Sequence, residues 1–383
     1  MRKTLIMAAV ASTAMVATAA AVPADATDGA HSGTKLAPVP YKIVASNLHN
    51  PRQITFSHGD MYVAEAGSGS FDGTASSGPC MVGGEGTTVC YGKTGSVTRV
   101  RAGHQHRVLK GISSLGGQVD GGSALGPADL VVVGKHTLVV SIGFGLPPGK
   151  RKHLPTRGQN QMAHLLSFNL RSGRATSLGD LGRHERRTNP VDNPDTDPTG
   201  LAKAGRLGFV VTDSGGNTVV SARAGKVKTV AAFQDRQGTS PVTGPQPTTY
   251  QSVPTDIVRG PDGAWYVSEL TGFPFIKGAS RVWRVVPGHK PHVWAKGLTN
   301  VTSLAFDGKN LYAVQIANLG LANPAGPIGS LVRVFPKSSD KAPVRVSTDL
   351  FAPYGLAIHR HAAYVSTGAV TAAGGSVLKI PLG

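Results

Sequence analysis

Pro254-Thr255-Asp256-Ile257-Val258, the turn Pro261-Asp262-Gly263 and Trp265-Tyr266-Val267-Ser268-Glu269 spell an apolar strand, a tight reversal and a second apolar strand ending in a carboxylate. β-Branched and aromatic residues suit a half-buried pleated surface, and Pro-Asp-Gly supplies the turn geometry. The same phrase occurs at Pro51-Arg52-Gln53-Ile54-Thr55-Phe56, His58-Gly59-Asp60 and Met61-Tyr62-Val63-Ala64-Glu65. Weaker copies begin at Pro127, Pro198, Asn300 and Pro353. Short strand pairs repeated at such intervals are the signature of a β-propeller.

Each copy extends to four strands. In the first these are Gln53–Phe56, Met61–Ala64, Ser96–Val100 and Arg107–Leu109, here termed a to d. The sixth copy has Gly355–Ile358, Ala363–Ser366 and Ser376–Ile380 and then ends without a d strand. Tyr41–Ala45 reads like the d-strand phrase His292-Val293-Trp294-Ala295 that precedes the fifth copy. The N-terminal strand is therefore expected to complete the last blade, closing a ring that would otherwise have an open edge. The expected fold is all-β, a six-bladed propeller of four-stranded antiparallel blades, with residues 41–383 forming a single domain.

Antiparallel order puts the a–b and c–d turns at one end of every blade and the b–c and d–a connections at the other. The first set is short, as in His58-Gly59-Asp60 and Arg223-Ala224-Gly225. The second is long: Ala66–Gly95, Gly143–Ala163, Gly182–Asp197, Gln234–Ser252, Thr271–Ser280 and Ile316–Ser330. Function is expected on the face that gathers the long loops. Arg52, Gln315, Phe273 and Phe275 are the candidate ligand contacts there; the two phenylalanines would serve equally as wedges between blades.

Glu65, Asp213, Glu269 and Gln315 end the b strands, and Asp129 and Asp256 lie near the start of a strands. Pointed at one axis, the carboxylates Glu65, Asp129, Asp213, Asp256 and Glu269 would repel unless a cation joined them. They could hold Ca²⁺ or another divalent cation through oxygen ligands. The alternative is that they cap turns and pair with neighbours such as Arg52 or Arg259. No further cofactor is indicated. Asp192, Asp195 and Asp197 form an acidic knot without the glycine and terminal glutamate of an EF-hand loop, which suits Asx turns better than Ca²⁺.

Arg2 and Lys3, the apolar run Leu5–Val22 and Ala24-Asp25-Ala26 have the form of a secretory signal peptide, residues 1–26, followed by a small polar leader over 27–40. Export makes a disulfide between Cys80 and Cys90 the expected state, stiffening one loop by about 2–3 kcal/mol. No other stretch approaches the ~20 apolar residues of a membrane span. The net charge is +18, with clusters at Lys150-Arg151-Lys152-His153 and Arg183-His184-Glu185-Arg186-Arg187. Outside the cell such charge suits an anionic wall polymer or lipid headgroups. Basic runs without interleaved aromatics or a binding motif give no sign of nucleic-acid recognition. Neither HExxH, G-x-S-x-G nor a P-loop occurs.

Leu48–Gly67, Gly78-Pro79-Cys80 with Cys90-Tyr91-Gly92 and Gly95–Val100, and Val253–Val285 with Glu269-Leu270-Thr271-Gly272-Phe273-Pro274-Phe275 resemble the ScyD/ScyE family, secreted proteins related to NHL-type propellers. The resemblance implies export and a propeller, and carries over no catalytic residue. The leading expectation is a secreted monomer whose loop-rich face binds a ligand or an extracellular protein. The alternatives are a metal-dependent hydrolase of the lactonase kind, using the carboxylate ring, and a basic structural protein docked on the wall.

Overall fold

The computed structural model describes residues 40–83, 86–191, 194–205 and 208–382. The expected signal peptide, all of the leader but residue 40, and Asp192 lie outside the described residues. Strand β1 (Lys42–Leu48) opens the described chain. Blade one follows as β2 (Pro51–Ser57), β3 (Asp60–Glu65), β4 (Cys80–Val82), β5 (Thr88–Arg101) and β6 (His104–Gly117). Blade two is β7 (Pro127–Val133), β8 (Thr137–Ile142), β9 (His164–Asn169) and β10 (Ala175–Asp180). Blade three is β11 (Pro198–Lys203), β12 (Gly208–Asp213), β13 (Thr218–Arg223) and β14 (Lys226–Ala232).

A separate hairpin, β15 (Arg236–Ser240) and β16 (Gly244–Tyr250), precedes blade four. That blade is β17 (Pro254–Arg259), β18 (Trp265–Glu269), β19 (Ser280–Val285) and β20 (His292–Leu298). Blade five is β21 (Val301–Asp307), β22 (Asn310–Gln315), β23 (Ile328–Val334) and β24 (Val344–Phe351). Blade six is β25 (Leu356–His359), β26 (Ala362–Thr367) and β27 (Gly375–Pro381), completed by β1 in the order β1-β27-β26-β25. Antiparallel pairing of Lys42 with Lys379 and of Leu48 with Gly375 closes the ring. The six-bladed, all-β architecture is as the repeat predicts.

The core lies between blades. Side chains alternate across each b strand, so one strand feeds two neighbouring layers. Tyr62 and Ala64 pack toward blade two with Leu130 and Val140, whereas Met61 and Val63 pack toward blade six with Val377. Tyr266 faces blade five with Leu304, and Trp265 and Val267 face blade three with Val210 and Val219. Val63, Val211, Val267 and Ala313 are all fully buried, as expected for strands covered on both faces.

The long connections are more ordered than a reading of them as plain loops predicts. Gly143–Ala163 contains a 3₁₀ helix over Pro148–His153 and the short helix α1 (Thr156–Gln161). Gly182–Asp197 begins inside helix α2 (Leu181–Thr188), whose N-cap Asp180 accepts a hydrogen bond from Arg183 N–H at 2.8 Å. Cys80 and Cys90 form the expected disulfide, which joins β4 to β5. No described helix is long and apolar enough to cross a membrane.

Candidate functional site

The residues ending the b strands share one task. Glu65 Oε2 accepts from His49 N–H at 2.9 Å, Asp213 Oδ1 from Asp197 N–H at 2.6 Å, and Gln315 Oε1 from Thr299 N–H at 2.7 Å. Glu269 accepts from the Ser252 hydroxyl. Every donor lies one or two residues before the a strand of the same blade. These side chains therefore staple each incoming connection to its own blade and satisfy buried donors that strand pairing leaves over.

Two of the carboxylates also hold a cation. Arg107 lies 2.7 Å from Glu65, and Arg236 lies 3.0 Å from Glu269. Burial pushes the Glu65 carboxyl up, but its bonds to Arg107, Thr98 and His49 outweigh this and bring it below its ordinary value. At Glu269 burial prevails over Arg236, and the carboxyl is raised.

Asp129 and Asp256 alone of the five carboxylates occupy the axial channel wall, at matched positions on β7 and β17. Each spans to the next inner strand. Asp129 Oδ2 accepts from Leu201 N–H at 2.6 Å, and Asp256 Oδ2 accepts from Leu304 N–H at 2.8 Å. Gln53 occupies the equivalent position on β2 and donates to Thr302 O at 3.1 Å. Glycines fill two further positions: an added Cβ at Gly200 would lie 2.5 Å from Asp256 Cα, and one at Gly355 would lie 2.8 Å from Gln53 Cα. A polar plug thus fills the neck of the channel. Burial, and for Asp129 the nearby Asp256, raise both carboxyls, Asp256 to about 6 and Asp129 well above its ordinary value.

The single ring expected of Glu65, Asp129, Asp213, Asp256 and Glu269 is therefore divided into staples and plug. Among the described residues no three His, Cys, Asp or Glu side chains gather where they could hold a metal ion. Backbone donors and arginines take the oxygens that a sequence pattern leaves unassigned.

Directly above the plug, on the loop-rich side, lies a cavity of about 290 Å³. Its floor is the ring of residues one step earlier on the inner strands: Arg52, Ala128, Thr199, Thr255 and Tyr354. Val253, Leu270, Phe275 and Ile316 wall one side, and they belong to an apolar cluster with Tyr354 and Ala369. Gly143, Gly145 and Leu146 wall another; Gly83 and Thr87–Val89 of the disulfide-tied arm and the turn at 117–124 form the rim.

Arg52 and Asp197 bring charge to this apolar cavity. Arg52 donates to Ala369 O at 2.9 Å and Ala124 O at 2.6 Å, and its guanidinium lies 4.6 Å from the centre of the Tyr354 ring. It ties the sixth blade's loop to the first blade's while its charge lies over an aromatic face. Asp197 Oδ1 accepts from Phe144 N–H at 2.9 Å. Burial, then repulsion from Asp213, pushes the Asp197 carboxyl up to about 7, with Phe144 N–H and Arg52 acting against this. The Tyr354 hydroxyl is pushed up to about 12 by burial.

Of the candidate ligand contacts, Arg52 and Phe275 line the cavity. Phe273 packs edge-on against Phe275 with ring centres 6.1 Å apart, as a supporting wedge. Gln315 is engaged by Thr299 and Ser330 and does not line the cavity. Tyr354 was not singled out by the sequence, and Asp197 was read only as part of an acidic knot suited to Asx turns. Both directly flank prolines at the start of inner strands, and that shared place in the repeat was the available signal.

No family model and no curated protein matches the chain. Among solved structures, the chain is similar to a catalytically inactive virginiamycin B lyase from Staphylococcus aureus with quinupristin. The identity is 11% over 89% of this chain and 100% of that one, with a TM-score of 0.45. A putative oxidoreductase (glucose dehydrogenase) from Thermus thermophilus shares 14% identity over 89% and 99% of the two chains, with a TM-score of 0.45. The PQQ-bound aldose sugar dehydrogenase of Streptomyces coelicolor shares 14% over 66% and 80%, with a TM-score of 0.41.

Proposed function

We propose that this protein is an exported binding propeller, a single domain over 41–383 preceded by a signal peptide at 1–26, that takes a small molecule in the cavity above its polar plug. The ScyD/ScyE resemblance of the Cys80–Cys90 loop and of the Glu269–Phe275 phrase agrees with export. The observation that carries the reading is the cavity itself, about 290 Å³, apolar on its walls and bearing Arg52 and Asp197. Apolar pockets with a few convergent polar groups are the usual form of small-molecule sites. The fitting ligand has a compact apolar body and one polar or anionic group. A metal-dependent hydrolase would need ligands converging on one point, and the staple and plug roles occupy the carboxylates nominated for that purpose.

The test is saturable binding of an amphiphilic anionic dye, 1-anilinonaphthalene-8-sulfonate, to wild type and to Ala128→Trp, which fills the floor. Stoichiometric binding lost in a folded Ala128→Trp protein supports the reading. Equal binding by both proteins, or none by wild type together with no stabilisation by any member of a small organic-acid panel, overturns it.

A further inference from the structure

Helix α2 carries Arg183, Arg186 and Arg187 on its exposed side, while Leu181, Gly182 and Glu185 form its buried side. Spacings of three and four residues place the three guanidinium groups as neighbours on one stripe. The adjoining 3₁₀ helix adds exposed Lys152 and His153, and α1 adds exposed Arg157. Arg151 fixes the 3₁₀ helix to the start of α2 through a two-pronged pair with Asp180, at 2.7 and 2.8 Å. The three short helices thus form one cap on the loop-rich face, with α1 against β6 and β9 and α2 against β9 and β14.

Among the described residues none of Lys152, Arg157, Arg183, Arg186 and Arg187 pairs with a carboxylate. Arg186 and Arg187 lie in the last turn of α2, where the helix dipole favours cations, but Arg183 lies in the first turn, where it does not. Like charges three and four residues apart also oppose the helix. Glu185 does not offset them, because burial, Asp213 and Asp195 push its carboxyl up to about 8. Fold stability therefore does not account for the whole stripe, whereas attraction to an external anion does.

We infer that this helical cap is a docking surface for an extended, soluble polyanion whose repeating groups are oxyanions. Arginine forks suit phosphate and carboxylate oxygens, and the spread of the cap over three helices suits a chain of charges rather than one ion. The large apolar side chains exposed elsewhere, among them Tyr41, Val119 and Leu319, are absent from the three helices, so the cap lacks the groups that insert into a lipid surface.

Three folded proteins are compared by titration with long-chain inorganic polyphosphate: wild type, a variant with Arg183, Arg186 and Arg187 changed to Ser, and a control with Arg223, Lys290 and Lys309 changed to Ser. The control removes the same charge from short turns on the opposite face. The cap variant is expected to lose at least about 10-fold in affinity at low salt and to reduce the salt slope by about 2, while the control changes by under about 3-fold. If the cap variant does not fold, Lys152 and Arg157 changed to Ser replaces it, against a control with Lys290 and Lys309 changed to Ser, and the salt slope is then expected to fall by about 1.5. Equal losses in cap variant and control, or no loss in the cap variant, overturn the inference. So does cap-dependent binding to phosphatidylglycerol vesicles without binding to polyphosphate, which would identify a membrane surface instead.

Discussion

Arg107 grips Glu65 with two nitrogens, Nη2 to Oε2 at 2.7 Å and Nε to Oε1 at 3.1 Å, and so joins the inner-facing end of β3 to the outermost strand of the same blade. The carboxylate is fully buried, and Ser96, Thr98 and His49 complete its shell.

Replacing Arg107 by Met leaves that charge buried without its cation. Removal of one partner of a buried pair costs about 3 kcal/mol or more. The variant is therefore expected to lose about 3 kcal/mol at pH 7 in denaturant unfolding. Because the folded Glu65 carboxyl lies below its ordinary value of 4.5, its contribution is present above that value and is lost as pH falls through the lower folded one. Arg107→Met should lose this contribution at higher pH than wild type. A variant within 1 kcal/mol of wild type would show that the neutral donors suffice.

Glu185 and Asp197 have the opposite sign. Their carboxyls are raised to about 8 and about 7 by burial and by neighbouring carboxylates. The folded state then binds protons that the unfolded chain has released, so stability falls as pH rises from about 5 to about 8, by at most about 1.4 kcal/mol per pH unit for each group. Glu185→Gln should leave the melting temperature at pH 4 nearly unchanged and raise it progressively above pH 5, with the full gain reached by pH 9. Parallel melting curves for the two proteins across this range would remove the premise.

The Cys80–Cys90 bridge ties β4 to β5 beside the cavity rim. Replacing both cysteines by Ser is expected to raise amide exchange across 80–83 and 86–92 and to weaken dye binding several-fold, while exchange in β21 and β22 stays as in wild type. The chain-entropy cost of opening so small a loop is about 3 kcal/mol, most of it local. Unchanged exchange in the arm would show that strand pairing alone holds it.

Gly200 abuts the plug, where an added Cβ would meet Asp256 Cα at 2.5 Å and Thr212 Oγ1 at 2.9 Å. Gly200→Ala is expected to destabilise by about 2–3 kcal/mol through overpacking of backbone against backbone. Gly149→Ala, with nothing within 4 Å of the added carbon, should stay within about 0.5 kcal/mol. Comparable effects at the two positions, measured by thermal unfolding, would mean that the channel neck relaxes freely.

The blades were legible because period-two apolar patterns and turn residues recur at every copy, and the missing d strand of blade six announced the closure by Tyr41–Ala45. Helix α2 escaped notice: its eight residues carry four basic side chains and no apolar stripe beyond Leu181. Its stability comes from the local Asp180 cap and from the Arg151 fork, and the fork is a tertiary contact. The acidic residues were legible as positions but not as roles. Glu65 and Asp256 both read as candidate cation ligands, yet one meets Arg107 across its blade and the other Leu304 in the next blade.

The sequence by itself determined the number of blades, the closure of the ring and the face on which the long loops gather. These follow from local strand and turn preferences repeated six times. Only the tertiary structure decided that the carboxylates act as staples and plug, that the channel neck is filled, and that Arg52, Asp197 and Tyr354 meet in one cavity. Those outcomes depend on which donor lies within 3 Å of each oxygen, and the donors come from residues far apart in the chain. Hydrogen bonding is short-ranged and directional, so residue type and spacing along one strand do not specify it.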